Sequence, residues 1–392
     1  MNTRRFLQNA LPLLFFLICV LDLPCAEPAE TVLTPSLKLQ ETYDDNVFFK
    51  KVSDFEHLIN PACEFYSLSE IGSVNTLLEW NIYKYNKYHD FDHLDQFYQM
   101  AYKRLLTPAS EMDISGSYVM DNTIQSAFDE LGIVIEQSDR VFFTFDTGVT
   151  FELNPKTNLD LIYNFRKDNY DSEDYPDHQY HNMDLNYDYQ LTEQTTFGFL
   201  LSGNRTDYES SNALEKEEIL KTLFGFDHQA FERLKFTFIA GAGHTRSHFN
   251  ESQTADRSSV VSDTLFLFSA STSWSFEYIQ IQGIIKRDVF PSLFGEGILR
   301  NFAGIFLNHQ MTEKSSYLLD VKYHHSETRG LVSPKQKSKA LSIHLSPMYH
   351  FNENMILQLG YIHNFTKNDM TSQSMGRNRV YLQLSMAWPK VL

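Results

Sequence analysis

Ser346 and His350 lie four residues apart, a spacing that puts two side chains on one face of a β-strand. A serine beside a histidine can act as nucleophile and base. The chain holds 14 histidines and many serines, and no G-x-S-x-G or H-E-x-x-H accompanies this pair, so chance accounts for it. His178 and His181 are three apart and His324 and His325 adjacent, which on a strand sends partners to opposite faces and disfavours joint metal ligation. Asp168, Asp171, Glu173, Asp174 and Asp177 concentrate carboxylate oxygens that suit Ca²⁺. They lack the spacing and central glycine of an EF-hand, and read as a solvated loop. No catalytic residue, metal or cofactor is expected, and the chain does not read as an enzyme. More regular are Asp160, Asn164, Asp184, Asn186, Asp188, Asp320, Lys322, Arg379 and Gln383, polar residues at every second position between apolar neighbours. Their chemistry is that of a hydrated wall that trades hydrogen bonds with water, ions and sugar hydroxyls.

The elements that carry them have a period of two. In 181–191, Met183, Leu185, Tyr187, Tyr189 and Leu191 alternate with Asn182, Asp184, Asn186, Asp188 and Gln190. Val380, Leu382, Leu384, Met386 and Trp388 alternate with Arg379, Gln383 and Ser385 near the C-terminus. This is the pattern of two-faced strands. It recurs: FELNPKTNLDLIYNF (151–165) aligns with YQLTEQTTFGFLLSG at a shift of 38, and with related segments at shifts of 158 and 198. Short polar turns fall near SEIG (69–72), TPAS (107–110), NPKT (154–157), TEQT (192–195), ERLK (232–235), WSFE (274–277), TEKS (312–315) and NENM (352–355). Long polar connections alternate with them. Short turns at one rim and long loops at the other are the asymmetry of a bacterial transmembrane barrel.

Composition agrees. The 392 residues include 32 Phe and 21 Tyr, a strand-forming bias, against 12 Pro and 16 Gly. The formal net charge of −17 argues against nucleic-acid binding. Arg4, Arg5 and the apolar run Ala10–Leu21 form a secretory signal, with cleavage expected after Ala26, leaving 27–392 as one domain. Cys63 is then the one remaining cysteine, so no internal disulfide forms. The expected fold is all-β: a transmembrane antiparallel up-and-down β-barrel of about 18 strands, with 16 as the even alternative. In lipid an open sheet edge is forbidden, so the first strand near Leu37–Tyr43 must pair with the last near Val380–Trp388.

Several stretches resemble a known family. LTPSLKLQETYDDNVFF (33–49), SD at 53–54 and NPACEFYSLSE (60–70) look like the N-terminal signature of bacterial outer-membrane β-barrel porins associated with exopolysaccharide and exosortase (PEP-CTERM) systems. The repeated Y-x-L-T-x-x-T-x-L hairpin, the segment around Tyr175–His181 and the closing RVYLQLSMAWP (379–389) fit the same family. The resemblance spans essentially the whole mature chain, through loose motifs. It implies a porin-like channel in the outer membrane for exopolysaccharide export. General uptake of small solutes and a non-transporting adhesion or scaffold barrel are the rival readings. Expected partners are outer-membrane lipid and lipopolysaccharide, the barrel-insertion machinery, polysaccharide and periplasmic export components. The chain ends Trp388-Pro389-Lys390-Val391-Leu392, whereas barrels of this class usually finish on an aromatic residue.

Two further expectations concern the lumen. From Glu277 onward there are 13 basic and 8 acidic residues, against 18 and 41 in 27–276, so sequential strands would give one acidic and one mildly basic wall. The moderately apolar segment 121–138 is a candidate inward-folding plug.

Overall fold

The computed structural model describes residues 30–122, 138–172, 175–209, 214–249, 260–290, 297–328, 337–368 and 373–392. The proposed leader and most of 121–138 lie outside these residues. Nine strands form the first half of the sheet: β1 (Glu30–Asp44), β2 (Asp54–Ser69), β3 (Gly72–Tyr85), β4 (His93–Thr107), β5 (Ser110–Asn122), β6 (Asp139–Asn154), β7 (Thr157–Tyr170), β8 (Asp177–Thr192) and β9 (Thr195–Glu209). Nine more follow: β10 (Leu214–Phe231), β11 (Leu234–Phe249), β12 (Val260–Ser275), β13 (Ile279–Phe290), β14 (Ile298–Gln310), β15 (Ser315–Thr328), β16 (Lys337–Asn352), β17 (Met355–Asn368) and β18 (Gln373–Ala387). Each pairs antiparallel with its sequence neighbours, and β1 closes the ring against β18 with Leu37 opposite Met386 and Tyr43 opposite Val380. A two-residue extension, Lys390–Val391, adds to β1 beyond that seam. The result is a closed antiparallel barrel of 18 long strands.

The expected turns fall where the strands reverse, with two corrections. The first strand starts at Glu30 rather than at residue 36, and the turn expected near WSFE (274–277) lies a residue or two on, between Ser275 and Ile279. The recurrence of N/T-x-x-T/S/M has a local cause. Asn154, Thr192, Thr312 and Asn352 each accept, through the side-chain oxygen, the backbone N–H two residues on (3.0, 3.2, 3.2 and 2.9 Å). Thr107 does the same in TPAS. These Asx and Ser/Thr turns satisfy a backbone donor that the tight reversal would leave unpaired.

The apolar residues of the repeat face out. Met183, Phe224 and Phe266 are each 62% exposed and Ile305 55%. A protein surrounded by water does not display such a continuous apolar band. Phe143, Phe145, Phe151 and Leu153 follow one another up β6 on this face. Phe143 to Phe151 spans about 26 Å along the strand, or roughly 20 Å after a typical tilt, which matches the apolar height of a transmembrane barrel. Tyr189, Phe231, Trp274, Tyr349, Phe351 and Trp388 ring the short-turn end, and Tyr43, Phe55 and Tyr361 stand near the other. Among the described residues no helix is long and apolar enough to cross a membrane.

Candidate functional site: the lumen and its narrowed mouth

The inner face is polar and bonded from strand to strand. Ser115 Oγ donates to Asp146 Oδ2 (3.4 Å), Asn164 Nδ2 to Asp146 Oδ1 (2.7 Å), Asn182 Nδ2 to Asn164 Oδ1 (3.0 Å) and Ser202 Oγ to Asn182 Oδ1 (3.2 Å). One ladder thus crosses β5 to β9. Asp160, Asn164, Asp184, Asn186 and Asp188 occupy the inward register of β7 and β8, opposite in sense to the exposed Leu161, Met183, Tyr187 and Tyr189. Asp320 and Lys322 occupy it on β15, and Arg379 and Gln383 on β18. Asp184 takes a bond from Asn182 (2.9 Å), and Gln383 Nε2 donates to Gln358 Oε1 (3.1 Å). The two-wall charge pattern is softened locally. Lys322 is 2.6 Å from Asp320, and Lys221 and Lys286 share Asp288 at 2.8 and 2.9 Å.

Ser346 is 1% exposed on this inner face, held by Gln358 Nε2 (2.6 Å) and beside the Tyr381 hydroxyl (3.4 Å). It makes no hydrogen bond to His350 among the described residues. The Tyr381 ring lies across Gly360 of the neighbouring strand, where a methyl group would collide with it. Gln358 Nε2 donates to the Tyr381 hydroxyl and His344 Nε2 bonds it, each at 2.8 Å. Gly360→Ala is therefore expected to push the ring into the lumen and cost about 1–3 kcal/mol through strain. A lower temperature for loss of the compact band in unheated-versus-heated gel electrophoresis checks it.

His178 and His181 separate as their spacing requires. His178 Nε2 faces in, 3.5 Å from Asp168, while His181 faces out and bonds the Tyr163 hydroxyl (2.9 Å). Asp168 itself corrects the loop reading. It is fully buried in β7 at the inner mouth, bidentate to Arg166 (2.6 and 2.7 Å) and 3.7 Å from Arg140, which in turn grips Asp121 (2.9 and 2.6 Å). Burial of a carboxylate demands such partners.

Two features narrow the mouth. The first is the β1–β2 connection. It turns inward as a one-turn 3-10 helix, Val47–Phe49, with Phe48, Phe49 and Lys51 at φ of 48, 60 and 60°. Left-handed backbone is costly for a bulky residue and persists only where surroundings impose it. Here Val47 and Phe48 pack on Tyr85, Tyr83 and Phe91, while Phe49 packs on Ala340 and Met375 across the ring seam. Asn46 holds the turn: its Nδ2 donates to Gly376 O (2.6 Å) and its Oδ1 accepts Lys51 N–H (2.5 Å). Arg377 donates twice to Asp44 Oδ2 (2.8 and 2.6 Å) and stacks over Phe48 and Phe49. Asn378 donates from its backbone and amide to Asp45 (2.7 and 2.6 Å). At the loop's platform Asp92, outside the strands, is held below its usual range by Lys84 and by the Tyr85 N–H.

The second feature is the β13–β14 hairpin. β12 pairs with β13 only up to Phe268 opposite Arg287, although β12 continues to Val260. Outward residues of β12 change from Phe266 to Thr264 and Ser262 there, so the ladder breaks where the apolar belt ends. That is the level at which lipid stops requiring paired edges. Freed from β12, the facing ends of β13 and β14, at Val289 and Gly297–Leu299, bend inward. Val289 and Leu299 pack with Ile219, Leu223, Leu265 and Leu267, the inner face of β10 and β12. Gly297 abuts the Glu217 carboxylate of β10, and Lys221 reaches Asp288. β10 and β13 stand three strands, roughly 14 Å, apart along the wall, so these contacts require the hairpin to cross the lumen side.

No protein-family model matches the chain, and no curated protein sequence matches it. Solved structures do. The FrpB iron transporter of Neisseria meningitidis superposes with a TM-score of 0.50 at 9% identity, over 86% of this chain and 62% of that one. The copper transporter OprC gives 0.50 at 9% identity, over 88% and 64%. The likeness is one of fold, a closed antiparallel β-barrel. The chain spans less than two thirds of the length of either. Pseudomonas aeruginosa OccK8 (OprE) is also similar, at a TM-score of 0.47 and 10% identity over 92% and 98%.

Proposed function

We propose that this protein is a porin-like channel of the outer membrane that passes hydroxyl-rich, water-soluble cargo without catalysing a reaction. The observation that carries it is the hydrogen-bonded amide, hydroxyl and carboxylate ladder from Ser115 to Ser202 on the inner face, behind an apolar outer belt. Such a wall replaces hydration of a sugar group by group, at little net cost. The family resemblance makes exopolysaccharide the first cargo to consider. Uptake of small solutes is the second reading, favoured by the mouth, which the Val47–Phe49 turn and the β13–β14 hairpin narrow. The similar transport barrels support a channel of either kind. Outside, Arg205 and Arg246 sit on β9 and β11 just above the apolar belt, where lipopolysaccharide headgroups would meet them. Delivery would use the barrel-insertion machinery and periplasmic partners.

Reconstitution in planar bilayers tests the channel: discrete ohmic steps are expected, and a protein that inserts but never conducts overturns it. Polymer held in the periplasm of a deletion strain supports export, and slower growth on a limiting small solute supports uptake.

A further inference from the structure

We infer that the space beneath the inward-bent hairpin is a binding site for an acidic sugar, a hexuronate or one residue of a polyuronate. This rests on the channel reading. The cavity is about 400 Å³, within the usual range for small ligands of about 300–1,000 Å³. Its chemistry has two halves. On one side are the cations Lys221, Lys286 and Arg287. On the other are Tyr180, Asn182, Asp184, Ser202 and Asn204, the end of the wall ladder.

The charge balance selects the ligand. Both lysines lean on the single carboxylate of Asp288, at 2.8 and 2.9 Å. Arg287 Nε is buried and makes no hydrogen bond among the described residues. With Asp184 included, three cations face two carboxylates, a local excess of one positive charge in a chain whose net charge is −17. One carboxylate neutralises that excess. A phosphate monoester, at roughly −1.5 to −2 near neutral pH, overshoots it. The polar half then needs donors as well as acceptors, because Asp184 Oδ1 is also buried without a hydrogen bond. A sugar hydroxyl donates to that oxygen while accepting from the amide of Asn204. Leu223, Ile239 and Leu267 supply the apolar surface against which a ring's C–H face rests. Neutral sugars lack the group that pairs Arg287, and simple carboxylates lack the hydroxyls that satisfy Asp184.

The test uses the full-length protein in planar bilayers, with trigalacturonate, maltotriose and glutamate added in turn. Block is expressed against each channel's own open current. Trigalacturonate is expected to interrupt the current at concentrations at least tenfold below those of the other two. Arg287→Gln with Lys286→Gln should erase that preference. Equal block by maltotriose or glutamate, or an undiminished preference in the double variant, overturns the site. Failure to conduct at all rejects the channel reading instead. In that case calorimetric titration of the detergent-purified barrel with trigalacturonate decides the site alone: binding weakened tenfold or more by the double variant supports it, and no binding overturns it.

Discussion

Val289→Asp combined with Leu299→Asp is expected to raise single-channel conductance roughly twofold, because conduction follows the open cross-section of the narrowest segment. The two side chains are 1% and 2% exposed and are the hairpin's share of the apolar cluster on the inner face of β10 and β12. Each apolar side chain buried there contributes about 1.5–3 kcal/mol to holding the hairpin down. A carboxylate in that apolar cluster loses its hydration beside the buried Glu217 carboxylate, and burying it costs several kcal/mol. The hairpin has an alternative: it swings away from the lumen and hydrates both carboxylates. The barrel wall is not asked to change, since β13 remains paired with β12 from Arg287 downward. Single-channel recordings check the prediction. An unchanged conductance with a normally folded barrel would show that the hairpin does not set the narrowest point.

Arg377→Ala should be the most destabilising single change at the ring seam. Arg377 and Asp44 are 2% and 0% exposed, joined at 2.6 Å, and belong to the last and first strands. Removing one partner of a buried pair strands the other charge and costs about 3–5 kcal/mol. The arginine also caps Phe48 and Phe49, so its loss frees a turn held in left-handed backbone. Asp44→Asn is expected to be milder, because the amide oxygen still accepts one bond from Arg377. The ordering R377A below D44N below the parent, in the temperature at which the barrel loses its compact gel mobility, is the outcome to look for. If all three unfold together, the pair contributes nothing to closure.

The ring itself was legible because its rule is short-range. Period-two alternation fixes which face each side chain takes, so Asp160 and Asp184 could be set against Leu161 and Met183 from their positions alone. The turn motif is just as local, an oxygen at one residue and an N–H two residues later, as in Asn154 and Lys156. Closure between Leu37 and Met386 is long-range, but lipid forbids any other end for the sheet. The inward features had no such rule. DDNVFF follows the first strand with no local signal of an inward turn. Only the meeting of Asp44, Asp45 and Asn46 with Arg377, Asn378 and Gly376, more than 300 positions away, turns it into the lumen.

Asp168 shows the same limit from the other side. Its neighbours Asp171 and Asp177 made it look like part of a solvated loop, yet cations on β6 and β7 bury it completely. The hairpin is a third case: Arg287 and Asn301 interrupt the apolar phase of Ile285 and Ile305, but no local rule turns that interruption into a place where β12 lets go. The sequence by itself determined the strands, their two faces, their turns and the need to close, since each follows from neighbours along the chain or from the solvent outside. The tertiary structure decided the shape and chemistry of the mouth, because that depends on which distant side chains the closed ring brings within hydrogen-bonding reach.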